Sequence, residues 1–186
     1  MSNPRDADRQ EIEACLLRYV RGVDRRNWDL VRSAYHPDAH DDHGDYKGNV
    51  DGFIESLIRR HALIEQSMHL VSNLTIEFAG PDTALAESYF ITHQRISPEA
   101  GDARLPYLRG APIRPDQAVE TEVIGRYVDQ MSREAGAWRI RRRTVVFEVF
   151  RGQPAPPAGG LRDNWAVSRR DGNDPLELAQ RTLGLT

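Results

Sequence analysis

The sequence predicts an α+β fold in which a curved antiparallel sheet wraps around N-terminal helices. Three features point there. Apolar residues recur at three- and four-residue spacing up to about residue 66, the period then changes to two, and the later half holds two pairs of long alternating runs joined by short turns. With 186 residues and 39% hydrophobic content, the chain has material for one core-bearing domain and a tail.

The first helix is expected from Asp8, with Ile12, Cys15, Leu16, Tyr19, Val20 and Val23 as its apolar stripe and Asp8 and Glu11 as a capping pair. It ends near Asp24. Asn27 caps a short second helix bearing Trp28, Val31, Ala34 and Tyr35 on one side, and Pro37 stops it. Residues 38–48 read as a polar irregular segment. Asn49 then caps a third helix, whose Val50, Phe53, Ile54, Leu57, Ile58 and Ile64 fit a 3.6-residue period. Three helices are thus expected before any strand.

Beyond Gln66, Leu70, Leu74, Ile76 and Phe78 alternate with polar neighbours. Gly80-Pro81-Asp82 turns the chain, and residues 84–96 return as the partner strand. Residues 97–116, rich in Pro, Gly and Arg, are too long for a routine connection and read as a cover loop or edge excursion. A second hairpin joins residues 118–132 to 138–151 through Glu134-Ala135-Gly136-Ala137. The domain is therefore bounded at 1–151 and the tail at 152–186. Within the tail, GQPAPPAGG at 152–160 is a Pro/Gly linker, and Asp174-Pro175 opens a short helix that stops at Gly184.

Composition removes several functional classes. A net charge of −3 with interspersed signs leaves no broad basic face, so nucleic acid is not expected as a partner. The opening MSNPRDADRQ lacks the apolar centre of a signal peptide, and no apolar run approaches the roughly 20 residues of a membrane span. A soluble, cytoplasmic protein with no membrane partner is expected. The single cysteine, Cys15, excludes an internal disulfide and suits a reducing compartment.

Ionisable residues concentrate between Tyr19 and Tyr46, and Asp24 closes an apolar stripe where a carboxylate needs a partner. Paired with His69, it would fix the imidazole tautomer and stabilise the imidazolium formed when His69 takes a proton. On a plainer account His69 is a polar residue at a strand entrance and Asp24 pairs with Arg25 or Arg26. Tyr19 and Tyr46 are candidate hydroxyl donors, Tyr19 being equally suited to filling its stripe. Arg139, Arg141 and Arg143 share one face by period two, and Arg143 is followed there by Val145 and Phe147, so it is the arginine expected to be buried and to hold an anionic or phenolic oxygen bidentately. The cluster His36, Asp38, His40, Asp41, Asp42, His43 offers metal-ligand residue types, but its spacing matches no compact metal motif. Turn formation is the better account, with His43 or Tyr46 pointing into a cavity mouth and no metal assigned. His61 and His93 read as structural histidines, although His93 could face a cavity.

The element order, together with YVRGVD, SAYHPDAHDDHGDYKG, MHLVSN and WRIRRRTVV, resembles a SnoaL-like domain of the nuclear-transport-factor-2-like superfamily over about residues 8–151. The resemblance implies a cystatin-like α+β barrel with a conical cavity between sheet and helices. It is strongest to the cofactor-free lyases of that superfamily, of the scytalone dehydratase, bile-acid 7α-dehydratase and hexachlorocyclohexane dehydrochlorinase types. By that likeness Asp24 and His69 fall on an Asp–His pair, Tyr19 on a tyrosine position and Arg143 on the arginine of the final strand. The implied activity is a metal- and cofactor-free lyase of aromatic-compound catabolism, either a dehydratase or an aldehyde-releasing carbon–carbon lyase. Its substrate would be an apolar hydroxylated cyclic or aromatic molecule contacted by Tyr46, His43, Trp28, His93 and Arg141, and the protein a homo-oligomer, trimer or dimer. Isomerisation or polyketide-type cyclisation could use the same dyad. The fold also serves the structural small subunit of ring-hydroxylating dioxygenases and non-catalytic modules that bind hydrophobes.

Overall fold

The computed structural model describes residues 5–156, 161–162 and 164–185. Its first element, α1 (Asp6–Arg25), buries the expected stripe of Ile12, Cys15, Leu16, Tyr19, Val20 and Val23. The expected cap does not form. Arg5 occupies the N-cap and its side chain makes no capping bond, because Asp8 and Glu11 are drawn to the far hairpin: Asp8 accepts from the Trp138 indole at 3.0 Å and from Arg133 at 2.7 Å, and Glu11 from the Trp138 backbone N–H at 2.9 Å. Asn27 caps α2 (Trp28–Ser33) and Asn49 caps α3 (Val50–His61), each side chain accepting a backbone N–H at 2.9 Å.

Only two helices precede the first strand. The segment taken as irregular is β1 (Tyr35–Asp42) with the short β2 (Lys47–Asn49), and Pro37 sits inside β1 instead of ending α2. This polar run lies in the sheet because specific partners, near and far along the chain, satisfy it. Tyr35 donates to Asp41 at 2.6 Å, His36 Nε2 lies 3.0 Å from the Ser132 carbonyl, and Lys47 meets Asp42 at 3.0 Å. β1 pairs in parallel with the last strand and antiparallel with β2.

The long hairpins form as expected, as β3 (Ile64–Phe78) with β4 (Thr83–Ile96) and β5 (Val119–Glu134) with β6 (Ala137–Pro154). The six strands make one open, curved sheet of order β2-β1-β6-β5-β4-β3. Ile64, placed on the third helix by its periodicity, starts β3. Two of the register shifts in these hairpins move expected residues to the other face. In β3 the register shifts between Ser72 and Thr75, with Asn73 left-handed at φ 51°, so Ser67, His69 and Val71 face inward, then Leu74, Ile76 and Phe78. Leu70, expected inside, is 55% exposed. In β6 the pairing skips Arg141, so Arg139 and Arg143 lie on opposite faces.

Residues 97–116 form a 3₁₀ turn (Pro98–Arg104) and α4 (Leu105–Leu108) that cover one end of the sheet, where Leu108 joins Ile64, Ile96 and Val119 in a second small core. The Tyr107 carbonyl lies 2.0 Å from where a Cβ on Gly152 would stand, a closeness only glycine permits. β6 extends to Pro154, so the expected linker begins within the sheet, and its residues 157–160 lie outside the described residues. The tail helix, α5 (Pro175–Thr182), has a complete capping box on Asp174. No described helix is long and apolar enough to cross a membrane.

Candidate active site

Between the helices and the concave face of the sheet lies a cavity of about 300 Å³. Aromatic side chains dominate its wall: Tyr19 from α1, Phe90 from β4, Tyr127 from β5, Phe147 and Phe150 from β6, and Tyr107 from α4. Seven polar side chains share that wall. His69, Thr92 and Gln94 come from the β3–β4 hairpin, Arg60 and His61 from the end of α3, and His43 and Asp45 from the β1–β2 loop.

Asp24 stands in the last turn of α1 and reaches across to β3. Its Oδ1 accepts from His69 Nδ1 at 2.7 Å and from the Ser67 hydroxyl at 2.8 Å, while Oδ2 accepts the His69 backbone N–H at 2.9 Å. Burial pushes the Asp24 carboxyl up, but the bonds and charge supplied by His69, with the Ser67 bond, outweigh it and hold the group below its ordinary 3.8. A carboxylate on Nδ1 makes that nitrogen the donor and leaves Nε2 of the cavity-lining ring as the free base. The support extends outward, with Gln94 Nε2 donating to Ser67 Oγ at 3.3 Å and Arg60 donating to Gln94 Oε1 at 2.8 Å. Sequence reasoning missed Ser67, Gln94 and Arg60. Period two carries the missing signal for the first two, since Ser67 shares the His69 face and Gln94 the Thr92 face.

A second imidazole occupies another part of the wall. His43 Nδ1 lies 3.1 Å from Oδ1 of the fully buried Asp41, and its ring stacks on Phe53 at 4.9 Å. Behind it, Asp41 holds the Tyr35 hydroxyl. His43 thus lines the cavity. Tyr19 is also in the wall, where burial pushes its phenol up and keeps it protonated, a hydroxyl donor.

The other expected contacts lie elsewhere. Arg143 is fully buried behind the wall, its Nε and Nη2 each 2.7 Å from an Asp129 oxygen and its guanidinium about 4 Å from the Tyr19 and Tyr127 ring centres. Burial works against its charge, but Asp129 prevails and keeps it protonated, so the fork is already occupied and offers nothing to a substrate oxygen. Arg141, stranded at the bulge, faces outward to Asp38 and Glu134. His93 is on the convex face because Thr92 and Gln94 take the inward positions. Tyr46 donates to the Asn49 carbonyl at 2.8 Å and packs outside the wall over Gly48 and Gly52. Trp28 stands behind the wall, edge-on to His61 at 5.9 Å. The 36–43 cluster disperses into separate pairs, and no group of three or more potential metal-ligand side chains converges among the described residues.

His61 is the wall residue read from sequence as structural. Its Nδ1 lies 2.7 Å from Nη2 of Arg170, a tail residue that also donates to the Val23, Asp24 and Ile64 carbonyls at 2.7–2.9 Å. Arg170 thereby ties the end of α1 to the start of β3, the two elements that carry Asp24 and His69.

The SnoaL-like domain profile matches residues 5–144. Among solved structures, a scytalone dehydratase-like protein from Novosphingobium aromaticivorans DSM 12444 superposes with a TM-score of 0.62 at 16% identity, over 84% of this chain and 96% of its own. A type 3 hexachlorocyclohexane dehydrochlorinase from Novosphingobium barchaimii LL02 gives 0.64 at 16% identity, over 85% and 97%. A cystatin-like-fold protein of unknown function from Nostoc punctiforme PCC 73102 gives 0.53 at 14% identity, over 77% and 92%. No curated protein matches.

Proposed function

This chain belongs to the SnoaL-like domain family, and from that premise we propose that it is a cofactor-independent lyase working through the Asp24–His69 pair. The observation that carries the proposal is the 2.7 Å bond between His69 Nδ1 and Asp24 inside an aromatic-walled cavity. His69 Nε2 removes a proton from carbon next to the carbon bearing the leaving oxygen. The new electron pair forms the double bond, the carbon–oxygen bond breaks, and the departing oxygen takes a proton from a wall donor, with Tyr19 and His43 in position to supply it. Asp24 keeps the imidazole oriented and offsets the charge it acquires. Where a hydroxyl stands β to a carbonyl, the same base would take the hydroxyl proton, the aldehyde C=O would form as the carbon–carbon bond breaks, and the electron pair would pass to the carbonyl as an enolate that regains the proton from His69.

The substrate is a hydroxylated cyclic or aromatic molecule. A cavity of about 300 Å³ is at the lower end of the usual range for small-molecule sites, and its aromatic wall favours a flat apolar ring with one or two polar groups. The dehydratase-like and dehydrochlorinase neighbours, both named for eliminations, support the same class. Arg143 acts from behind, pinning Tyr19 and Tyr127, not on the substrate.

The test is a panel of hydroxylated aromatics followed by the absorbance of a new conjugated double bond, with wild type beside His69→Ala. Turnover should fall roughly 10²–10⁴-fold, the ordinary worth of a positioned base, with thermal stability nearly intact. Turnover surviving in His69→Ala would refute the lyase.

A further inference from the structure

The tail and α3 together build a feature that the elimination chemistry does not require. Arg170 has only donors, so the His61 Nδ1 atom 2.7 Å from it must accept, and a neutral ring then carries its proton on Nε2. His61 is 1% exposed and lines the cavity, yet among the described residues no acceptor meets its Nε2. That nitrogen is not sealed within the protein, so an oxygen entering the cavity can accept from it. We infer that His61 is a substrate-contacting residue whose Nε2–H, its tautomer fixed by Arg170 of the C-terminal tail, donates to a hydroxyl, phenolic or carbonyl oxygen of the substrate.

The surroundings agree. Arg60 and Gln94 line the same cavity as His61, so the wall contributed by the ends of α3 and β4 is its polar side. Burial first, then the positive charge of Arg170, with Arg60, His69 and Arg26 behind it, hold the imidazole neutral down to about 2. A neutral imidazole donor can bind an oxygen at physiological pH without giving up its proton. Trp28, packed edge-on to the ring, fixes its plane. Arg170 lies beyond residue 144, where the family match ends, so the tail contributes a positioning residue that the family domain alone does not carry.

This inference deepens the lyase proposal by naming what reads the substrate oxygen, but its test needs no turnover. The full chain labelled with ¹⁵N-histidine would be examined by two-bond ¹H–¹⁵N spectra, which separate the two neutral tautomers, with 4-nitrophenol as the oxygen-bearing probe. His61 should appear as the Nε2–H form from pH 5 to 9, and its Nε2 should shift when the probe binds. His61→Phe should bind the probe roughly tenfold more weakly, the worth of one hydrogen bond, and His61→Gln, which keeps a donor, should recover much of that loss. Arg170→Met should convert the single tautomer into a mixture. An Nδ1–H tautomer, titration between pH 5 and 8, or no His61 shift at saturating 4-nitrophenol would overturn the assignment. Since the tautomer and the probe-induced shift of His61 are read in the wild-type chain without turnover, failure of the lyase proposal and failure of this one are separately visible.

Discussion

Acid should loosen this protein well above the pH at which carboxylates titrate, and His61 is the reason. Its folded value is about 2 against 6.5 for a free imidazole, so unfolding takes up a proton anywhere between. A depressed histidine contributes its full stability above 6.5 and loses it as pH falls, at about 1.36 kcal/mol per unit. Integrated from pH 7 to pH 4.5, the loss is about 2.6 kcal/mol, a large share of the 5–15 kcal/mol of a typical domain. Urea unfolding of wild type and His61→Gln, followed by circular dichroism at both pH values, isolates the term, because the other titrating groups are common to the two proteins. With a urea slope of about 1–3 kcal/mol per molar, the wild-type midpoint should fall relative to the variant by roughly 1–2.5 M. A wild-type-minus-variant difference that stays constant within about 0.5 kcal/mol between the two pH values would show that His61 charges freely in the folded state, and the neutral-donor account would go with it.

Other substitutions test other layers. Asp24→Asn should keep the fold near neutral pH while lowering turnover about 10²–10⁴-fold, measured on whichever panel compound is converted. The Asp24 carboxyl is held below 3.8, so the stability it gives at neutral pH should disappear only as pH falls below that value, a low-pH unfolding step that Asn would lack. Arg143→Met leaves Asp129 buried without its partner and should cost about 3–5 kcal/mol, seen as a much lower thermal midpoint; an unchanged midpoint would mean that Asp129 is neutral. Gly125→Ala would set a Cβ 2.2 Å from the Val146 carbonyl and 2.9 Å from the Phe90 ring. It should cost at least about 3 kcal/mol, the upper end of overpacking, and displace a cavity wall residue, so calorimetry and ligand binding should both register it.

Local signals served the sequence well where the physics is local. Asn27 and Asn49 were recognisable as caps because capping involves only the next three residues, and the hairpins were recognisable from their turns. β1 was not, because Asp41 and His36 are tolerable inside a sheet only through Tyr35 and Ser132, partners that no window over 38–48 reveals as such. The bulges at Asn73 and Arg141 were equally invisible, and each put residues on the wrong face, Leu70 inward and Arg141 toward the substrate. Asp24 and His69 could be singled out, the one as a carboxylate closing an apolar stripe and the other by family likeness. The support from the tail could not, since His61 and Arg170 are 109 positions apart and meet only through the docking of the tail.

The left-handed kink at Asn73 leaves a single residue deciding which flank of β3 looks into the chamber. Flattening it into regular strand with no residue removed, while Leu74, Ile76 and Phe78 stay seated, would roll the preceding stretch by half a turn, bringing Met68 and Leu70 in from solvent and carrying His69 out. The outcome would be a greasy container with no proton chemistry. The extra residue at Asn73 therefore holds the imidazole toward the chamber, and a β-branched replacement that refused the left-handed conformation would alter the chamber's chemistry more abruptly than a substitution around the wall.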